Sequence, residues 1–386
     1  MVDWSTVPKT AKPVKEETMT TKPRIFVTGA TGKTGSVVAA ELLKAGYRVR
    51  AMVHGEDGRS AGLRAQGAEV VVADMSDVER VGDALKDAQG AYFCPPFDPY
   101  MIQGAVAFAV AAREARLEHI VGLTQWLASP SHPSLMTRQL WLVNQLFAMT
   151  PGIAHTIVNP GFFADSYLML TGYAANLGVF PWVYGDSRNA PASNEDIARV
   201  AVAALMDPAR HAGKSYHPTG PELLDAKDMA QAIGRAVGRS VKVLPTPAWL
   251  FMKSARLGGL PIDLISGVRY YIDDHKRGAF ELGAPTTDVL DVTGRPPEDF
   301  ETIARRYAAL PGNQRTLGNR FRQFAQFMIA PLRSGFNLDK YDRDLRRPFP
   351  SRPQFAPESK VWQREHSIAH VEDTSALDAR TVLVRG

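Results

Sequence analysis

The most specific chemistry in this chain is written in Thr28–Gly35, TGATGKTG. Gly29, Gly32 and Gly35 recur at every third position, and each has a physical task. Gly29 allows a tight turn, Gly32 lets backbone N–H groups approach a ligand, and Gly35 lets a helix pack closely on the strand before it. Donors gathered at a helix start, with the positive end of its dipole, hold phosphate. The flanks supply those elements. Ile25–Thr28 reads as a buried strand, Val37, Val38, Leu42 and Leu43 follow a helical period that stops at Gly46, and Arg48–Val53 reads as a second strand. A glycine turn inside such a βαβ unit is a grip for the pyrophosphate of a dinucleotide, with Thr28, Gly29, Thr31, Gly32, Lys33, Thr34 and Gly35 as its residues. The run Gly32-Lys33-Thr34 also imitates a phosphate-loop NTPase, and VVVAD at 70–74 imitates its magnesium strand. That loop needs a glycine five places before Gly32, where Val27 stands, so the NTPase reading is set aside.

The end of the second strand selects the cofactor. An NAD site places Asp or Glu there to accept from the ribose 2′-hydroxyl. Here the residue is His54, with Lys33 and Arg59 in reach of a 2′-phosphate, so NADP(H) is favoured over NAD(H). Glu56 and Asp57 come slightly later and keep the NAD alternative open.

The strands and helices continue to alternate: strands at Glu69–Ala73, Ala91–Cys94, His119–Thr124 and Ala154–Asn159, helices at Asp77–Leu85, Met101–Arg116 and Ser134–Met149. This pattern predicts a Rossmann-type, doubly wound parallel sheet with helices on both faces, an α/β fold. Ligands of such sheets bind at the carboxyl ends of the strands, here after Val53, Ala73, Cys94, Thr124 and Asn159. Thr124 and Gln125 at one of those ends are placed to donate to a carbonyl or carboxamide oxygen. Phe97, Trp126, Phe162, Phe163 and Tyr167 offer flat apolar surface suited to a planar aromatic or quinone substrate. Beyond residue 160 the texture becomes aromatic and irregular up to Gly185, then a helix at Asn194–Met206 starts from Ser193 or Asn194 as cap. Short strands (Ser215–His217, Val241–Leu244) and helices (Ala226–Val237, Pro247–Leu257, Glu298–Ala309) follow. The division expected is a disordered leader at 1–22, a dinucleotide-binding domain at 23–160, a smaller α+β substrate-covering domain at 161–311 interleaved with the sheet, and an Arg/Pro-rich extension at 312–386.

Composition sets the outer limits. The 386 residues are 45% hydrophobic and 22% charged, in keeping with a globular chain of ample core. Cys94 is the only cysteine, which excludes an internal disulfide and a Cys-based zinc cluster and agrees with a cytoplasmic setting. The first 22 residues lack the apolar segment of a signal peptide, and no uncharged apolar run approaches the roughly 18 residues of a membrane span. No metal site is expected. Residues 311–386 hold 13 Lys+Arg against 8 Asp+Glu, so the whole net charge of +5 belongs to the extension. Its basic residues are interspersed with acids and carry no nucleic-acid motif, so no nucleic-acid partner is expected.

The blocks VTGATGKTG (27–35), GAEVVVADMSD (67–77), HTIVNPGFFADSYL (155–168), SNEDIARVAVAAL (193–205), GKSYHPTGPELL (213–224) and DVTGRPPEDF (291–300) resemble the NmrA-like branch of the atypical short-chain dehydrogenases/reductases. The resemblance covers residues 22–310 and leaves the extension without a counterpart. That family includes NAD(P)H-dependent quinone oxidoreductases, triphenylmethane and aryl ether reductases, and redox-sensing regulators. It implies that Asp74 and Met75 meet the adenine. Cys94, Pro95, Pro96 and Phe97 would pass under the nicotinamide ribose, and Asn159, Pro160, Gly161, Phe162 and Phe163 would flank the nicotinamide. Many relatives carry Arg where Asn159 stands.

No YxxxK pair, the usual acid–base device of short-chain dehydrogenases, occurs in the chain. By the same resemblance, Arg138 stands where relatives often carry the ribose-binding Lys, and Ser134 where the Tyr would be. Arg keeps its proton, which leaves His132 as the nearby side chain able to exchange one near neutral pH, or else as a loop histidine beside Pro133. Quinone reduction asks little of such a site, because solvent can protonate the product oxyanion. The reading is a reductase transferring hydride from nicotinamide to a planar quinone or aromatic carbonyl, with a redox sensor or a lyase/isomerase on the same fold as alternatives. In the extension, Leu317–Leu332 places Phe321, Phe324, Met328 and Leu332 on one helical stripe. That stripe is expected to dock on the chain's own body, with a homodimer second and a membrane surface third.

Overall fold

The structure is a computed structural model that describes residues 22–366, so the leader expected at 1–22 lies outside the described residues apart from Lys22. Seven parallel strands form one sheet in the order β3-β2-β1-β4-β5-β6-β8. They are β1 Arg24–Val27, β2 Arg48–Val53, β3 Glu69–Val72, β4 Gly90–Phe93, β5 His119–Leu123, β6 Ala154–Val158 and β8 Ser215–Tyr216. Two further strands, β7 Val179–Trp182 and β9 Lys242–Pro245, pair in parallel outside that sheet. The order reverses at β1, which pairs with β2 on one side and β4 on the other, opening a crevice at the carboxyl end of Val27.

β4 and β5 are buried along their whole length, as expected of strands covered on both faces. On one face the helices Lys33–Lys44 and Asn194–Met206 bring Val38, Leu42, Ile197 and Val200 against Val27 and Ala51. On the other, helices Val78–Leu85, Met101–Glu114 and Leu135–Met149 pack round Phe26, Phe93, Phe108 and Phe147. The ring centroids of Phe93 and Phe108 are 4.7 Å apart, and those of Phe93 and Phe147 5.1 Å. The caps are local: Asp77, Ser134 and Ser193 each accept from a backbone N–H in the first turn of the helix that they start.

The stretch read as irregular up to Gly185 is instead helices Ala164–Leu168 and Thr171–Leu177 followed by β7. These helices have five and seven residues, too few to print a period on the sequence. Their aromatic residues build the core of a second lobe, where Tyr167, Trp182, Tyr184 and Phe300 pack together. Helices Gly58–Ala65, Ile262–Val268, Tyr271–Lys276 and Asp288–Thr293 escaped the sequence reading for the same reason.

Of the extension, the described residues 312–366 run over the ligand edge of the sheet and are fastened to it. The Gln354 N–H donates to the Ser131 carbonyl at 2.9 Å, and the Ala356 N–H to Asp274 Oδ1 at 3.1 Å. Trp362 is fully buried, and its indole N–H donates to the Trp126 carbonyl at 2.7 Å. The apolar stripe of helix Leu317–Ile329 does not take part. Phe321, Phe324, Met328 and Leu332 face solvent, which overturns the expected docking of that stripe on the chain's own body.

Candidate functional site

The glycine turn occupies the crevice at the end of β1. Gly29 has φ +59°, a conformation that favours glycine. The Gly32 N–H donates to the Gly29 carbonyl at 2.8 Å, and Gly32 caps the following helix without any side-chain cap. The N–H groups of that helix's first turn are therefore left for an anion. A Cβ on Gly35 would stand 2.2 Å from the Gly29 oxygen, so this close approach requires glycine. Thr28 and Thr34 hold the turn. Thr28 accepts from the Cys94 N–H at 2.8 Å and donates to the Cys94 carbonyl at 3.2 Å. Thr34 accepts from the Tyr92 hydroxyl at 3.1 Å.

At the end of β2, both nearby acids are already committed. Asp57 caps helix Gly58–Ala65, accepting from the N–H groups of Arg59 at 2.9 Å and Ser60 at 3.0 Å, and its second oxygen holds Arg59 Nε at 2.8 Å. Glu56 pairs with Arg64. The Arg59 guanidinium leans over the glycine turn, 3.5 Å from the Thr31 carbonyl. His54 is exposed. Asp74 accepts from the Ser76 hydroxyl at 2.7 Å and the Ser76 N–H at 2.8 Å, bonds that hold its carboxyl below the usual range. Met75 is buried against Gly104. Lys33 makes an ion pair with Asp165, on helix Ala164–Leu168 of the second lobe. Asp165 was missed because, within the FFADSYL block, nothing local marks it as facing the glycine turn.

The carboxyl ends of β5 and β6 bring together Thr124 and Asn159, with Asn144 beside them. The Thr124 hydroxyl donates to the Asn159 side-chain oxygen, which also accepts from Asn144 Nδ2 at 3.5 Å. The Trp126 N–H donates to the Pro160 carbonyl at 3.1 Å, and the Gly161 N–H to the Pro218 carbonyl at 3.0 Å, so both loops are fixed. Cys94, Pro95 and Pro96 follow β4 directly, and burial pushes the Cys94 thiol up to about 12, which makes it a poor nucleophile. Gln125 accepts from the Tyr271 hydroxyl and keeps a buried amide nitrogen without a partner. Burial raises the Tyr271 phenol above its ordinary value, so it stays a donor. Tyr271 was invisible to the sequence reading because it arrives from the second lobe, 146 residues from Gln125.

The acid–base candidates are elsewhere engaged. His132 is fully buried: its Nδ1 accepts from the Ser134 N–H at 3.0 Å, and its Nε2 lies 2.8 Å from Asp274. With both nitrogens held by protein partners, His132 presents neither of them to a ligand in this arrangement. Ser134 is the buried cap of helix Leu135–Met149. Arg138 donates to the carbonyls of His132, Pro133 and Pro348, bonding the extension rather than a ribose. The aromatic set divides as well. Trp126 is sealed beneath Trp362 and donates to the Ala279 carbonyl at 2.7 Å. Tyr167 is buried between Asn189 and His275, at 2.9 Å from each. Phe162 packs edge-on to His275 at 4.6 Å, and Phe163 precedes helix Ala164–Leu168. Phe97 remains half exposed.

Phe97 borders a cavity of about 280 Å³. Met101 and helix Leu135–Met149 (Leu135, Met136, Gln139) form one wall, Leu264 and Tyr270 of the second lobe another, and Pro348 and Phe349 of the extension a third. Its charges are largely self-paired: Arg269 bonds Asp339 at 2.9 Å and Asp342 at 3.2 Å, and Arg347 bonds Asp263 and, at 2.8 Å, Asp342. Among the described residues no group of three or more His, Cys, Asp or Glu gathers to hold a metal, and no helix is long and apolar enough to cross a membrane.

Comparisons with known proteins agree with this geometry. The model of the NmrA-like family matches residues 21–124. An NAD(P)H azoreductase of Xenophilus azovorans is 30% identical over 295 residues, which are 75% of this chain and 99% of that protein. The solved NADPH complex of quinone oxidoreductase QOR2 from Escherichia coli superposes with TM-score 0.64 at 22% identity, over 73% of this chain and 99% of that one. The NADP complex of NmrA, a negative transcriptional regulator, gives 0.61 at 18% identity, over 74% and 95%. The strand order, the uncapped glycine turn and a relative matched across nearly its full length together place this chain in the NmrA-like family.

Proposed function

We propose that this protein is an NAD(P)H-dependent reductase that prefers NADPH and passes hydride to a small, planar, quinone-type or aromatic acceptor. The observation that carries the proposal is the glycine turn, where Gly35 packs so closely that no side chain fits and the first-turn N–H groups have no side-chain cap. Those groups hold the pyrophosphate, with Lys33 between it and Asp165. Arg59 and His54 receive the 2′-phosphate, since Glu56 and Asp57 are engaged by Arg64 and Arg59 and neither is free for a ribose hydroxyl. When bound, the nicotinamide supplies the hydride. The protein's share is orientation: Thr124, Asn159 and the unpartnered Gln125 amide line the end of β5 and β6, where a carboxamide or acceptor oxygen requires donors.

The chain has no YxxxK pair and His132 is engaged by Ser134 and Asp274, which suits an acceptor whose reduced oxyanion is protonated by water and disfavours alcohol oxidation. The cavity beside Phe97, with Met101, Leu135, Met136 and Tyr270 among its lining residues, supports turnover over sensing alone. The test is NADPH and NADH binding by calorimetry, followed by NADPH oxidation with a panel of quinones, azo compounds and aromatic carbonyls. Tight NADPH binding with turnover of at least one acceptor class is expected. Tight binding without any turnover would transfer the assignment to a redox sensor, a role compatible with the same grip.

A further inference from the structure

We infer that helix Leu317–Ile329, with the turn Ala330–Leu332 that continues it, is a docking face for the surface of an anionic membrane. The inference is independent of which acceptor the site reduces. Leu317, Phe321, Phe324, Met328 and Leu332 follow one another at steps of four, three, four and four residues, a single helical stripe. The stripe lies in water: Phe321 is 75% exposed, Phe324 54%, Met328 52% and Leu332 84%. The flank of the helix adjoining the stripe is already used, with Gln323 buried and Phe327 edge-on to Tyr173 of helix Thr171–Leu177 at 6.4 Å. The exposed stripe is therefore not the face by which the helix holds to its own body. Trp249, 55% exposed, extends the apolar surface from helix Ala248–Leu257, whose Lys253 donates to the Pro331 carbonyl at 3.3 Å.

Charge decides the occupant. Between Pro311 and Leu338 the chain carries Arg315, Arg320, Arg322 and Arg333 and no Asp or Glu. The elements packed against this helix add no acid either: Thr171–Leu177 is uncharged, and Ala248–Leu257 contributes Lys253 and Arg256. A second copy of the chain docking face to face would bring four arginines against four with no carboxylate between them. An anionic lipid surface takes the apolar stripe into its acyl boundary and the arginines at its phosphates, while a Trp at the rim suits the headgroup level.

The experiment is sedimentation of the full chain with vesicles of phosphatidylcholine alone and with vesicles of two parts phosphatidylcholine to one part phosphatidylglycerol. Binding to the anionic vesicles is expected to exceed binding to the neutral ones by at least about tenfold and to weaken as salt is raised. Two exposed-surface variants read the two components separately: Phe321→Ser with Leu332→Ser removes apolar depth, and Arg320→Glu with Arg333→Glu reverses charge. Each should lose most of the vesicle binding while the melting temperature and NADPH affinity stay at the parent value. Failure of the parent to sediment with anionic vesicles, or unchanged binding in both variants, overturns the proposal. So does a sedimentation-velocity dimer that Phe321→Ser with Leu332→Ser dissociates, because the face would then belong to a second copy.

Discussion

Two glycines of the same turn do different work. A Cβ on Gly35 would stand 2.2 Å from the Gly29 oxygen, inside any real contact, whereas one on Gly32 would stand 3.0 Å away. Gly35→Ala should therefore damage the fold itself, by about 1–3 kcal/mol in a denaturant melt. Gly32→Val should leave a folded protein that no longer binds either dinucleotide, because the new side chain fills the pyrophosphate's space; calorimetry on the folded variant checks it. In the proposed site, Arg59 is the residue on which the NADPH preference rests. Arg59→Ala removes a charge-assisted contact to the 2′-phosphate and releases Asp57 to accept from a ribose hydroxyl. NADPH affinity should fall by about ten- to a hundredfold while NADH affinity holds or rises. His132 teaches the opposite lesson. Its Nε2 meets Asp274, 142 residues away in sequence, and Asp274 in turn receives the Ala356 N–H of the extension. His132→Ala should lower the melting temperature and loosen the extension, an effect on stability that a thermal melt and limited proteolysis would separate from turnover.

The elements that the sequence printed clearly are those with a full apolar period or a local cap. β2 and the helices Ala226–Val237 and Asn194–Met206 stand where the pattern placed them, and Ser193 is the cap. The grip of the glycine turn was legible for the same reason, since its glycines, strand and helix are neighbours in the chain. What stayed hidden depends on distant partners. The short helix Tyr271–Lys276 delivers Tyr271 to Gln125, Asp274 to His132 and His275 to Tyr167, but six residues carry no period. Trp126 looks the same on paper whether it faces a substrate or, as here, the indole of Trp362. That contact makes the extension testable. Trp362→Ala should cost about 3–5 kcal/mol, as for other buried large-to-small changes, and should uncover Trp126 to quenchers of indole fluorescence. Truncation after Leu310 should do the same and lower the melting temperature further.

At the scale of the molecule, burial holds a set of histidines neutral. His119 and His217 are pushed down to about 4, and His275 and His366 to about 3, from an ordinary value of 6.5. In the unfolded chain they take up protons near 6.5, so between there and about 4 the unfolded state binds more protons than the folded one. Their contribution to stability is fully present above 6.5 and is lost as pH falls toward 3. Glu365, raised to about 7 by burial, opposes this with one group against four. The melting temperature should therefore drop steeply below pH 6.5, with proton uptake on unfolding measurable by calorimetry in buffers of different ionisation heat. The hydrogen bond from Trp362 to Trp126 has one more consequence, in time rather than in energy. It joins residues 236 apart, so this stitch over the sheet's edge can be made only after Trp362 has left the ribosome. Closing so long a loop is a slow, late event in folding. Until it happens, Trp126 has no cover and the nascent protein presents a greasy edge to chaperones. Refolding followed by indole fluorescence should show this closure as a distinct final phase, absent from the Trp362→Ala variant.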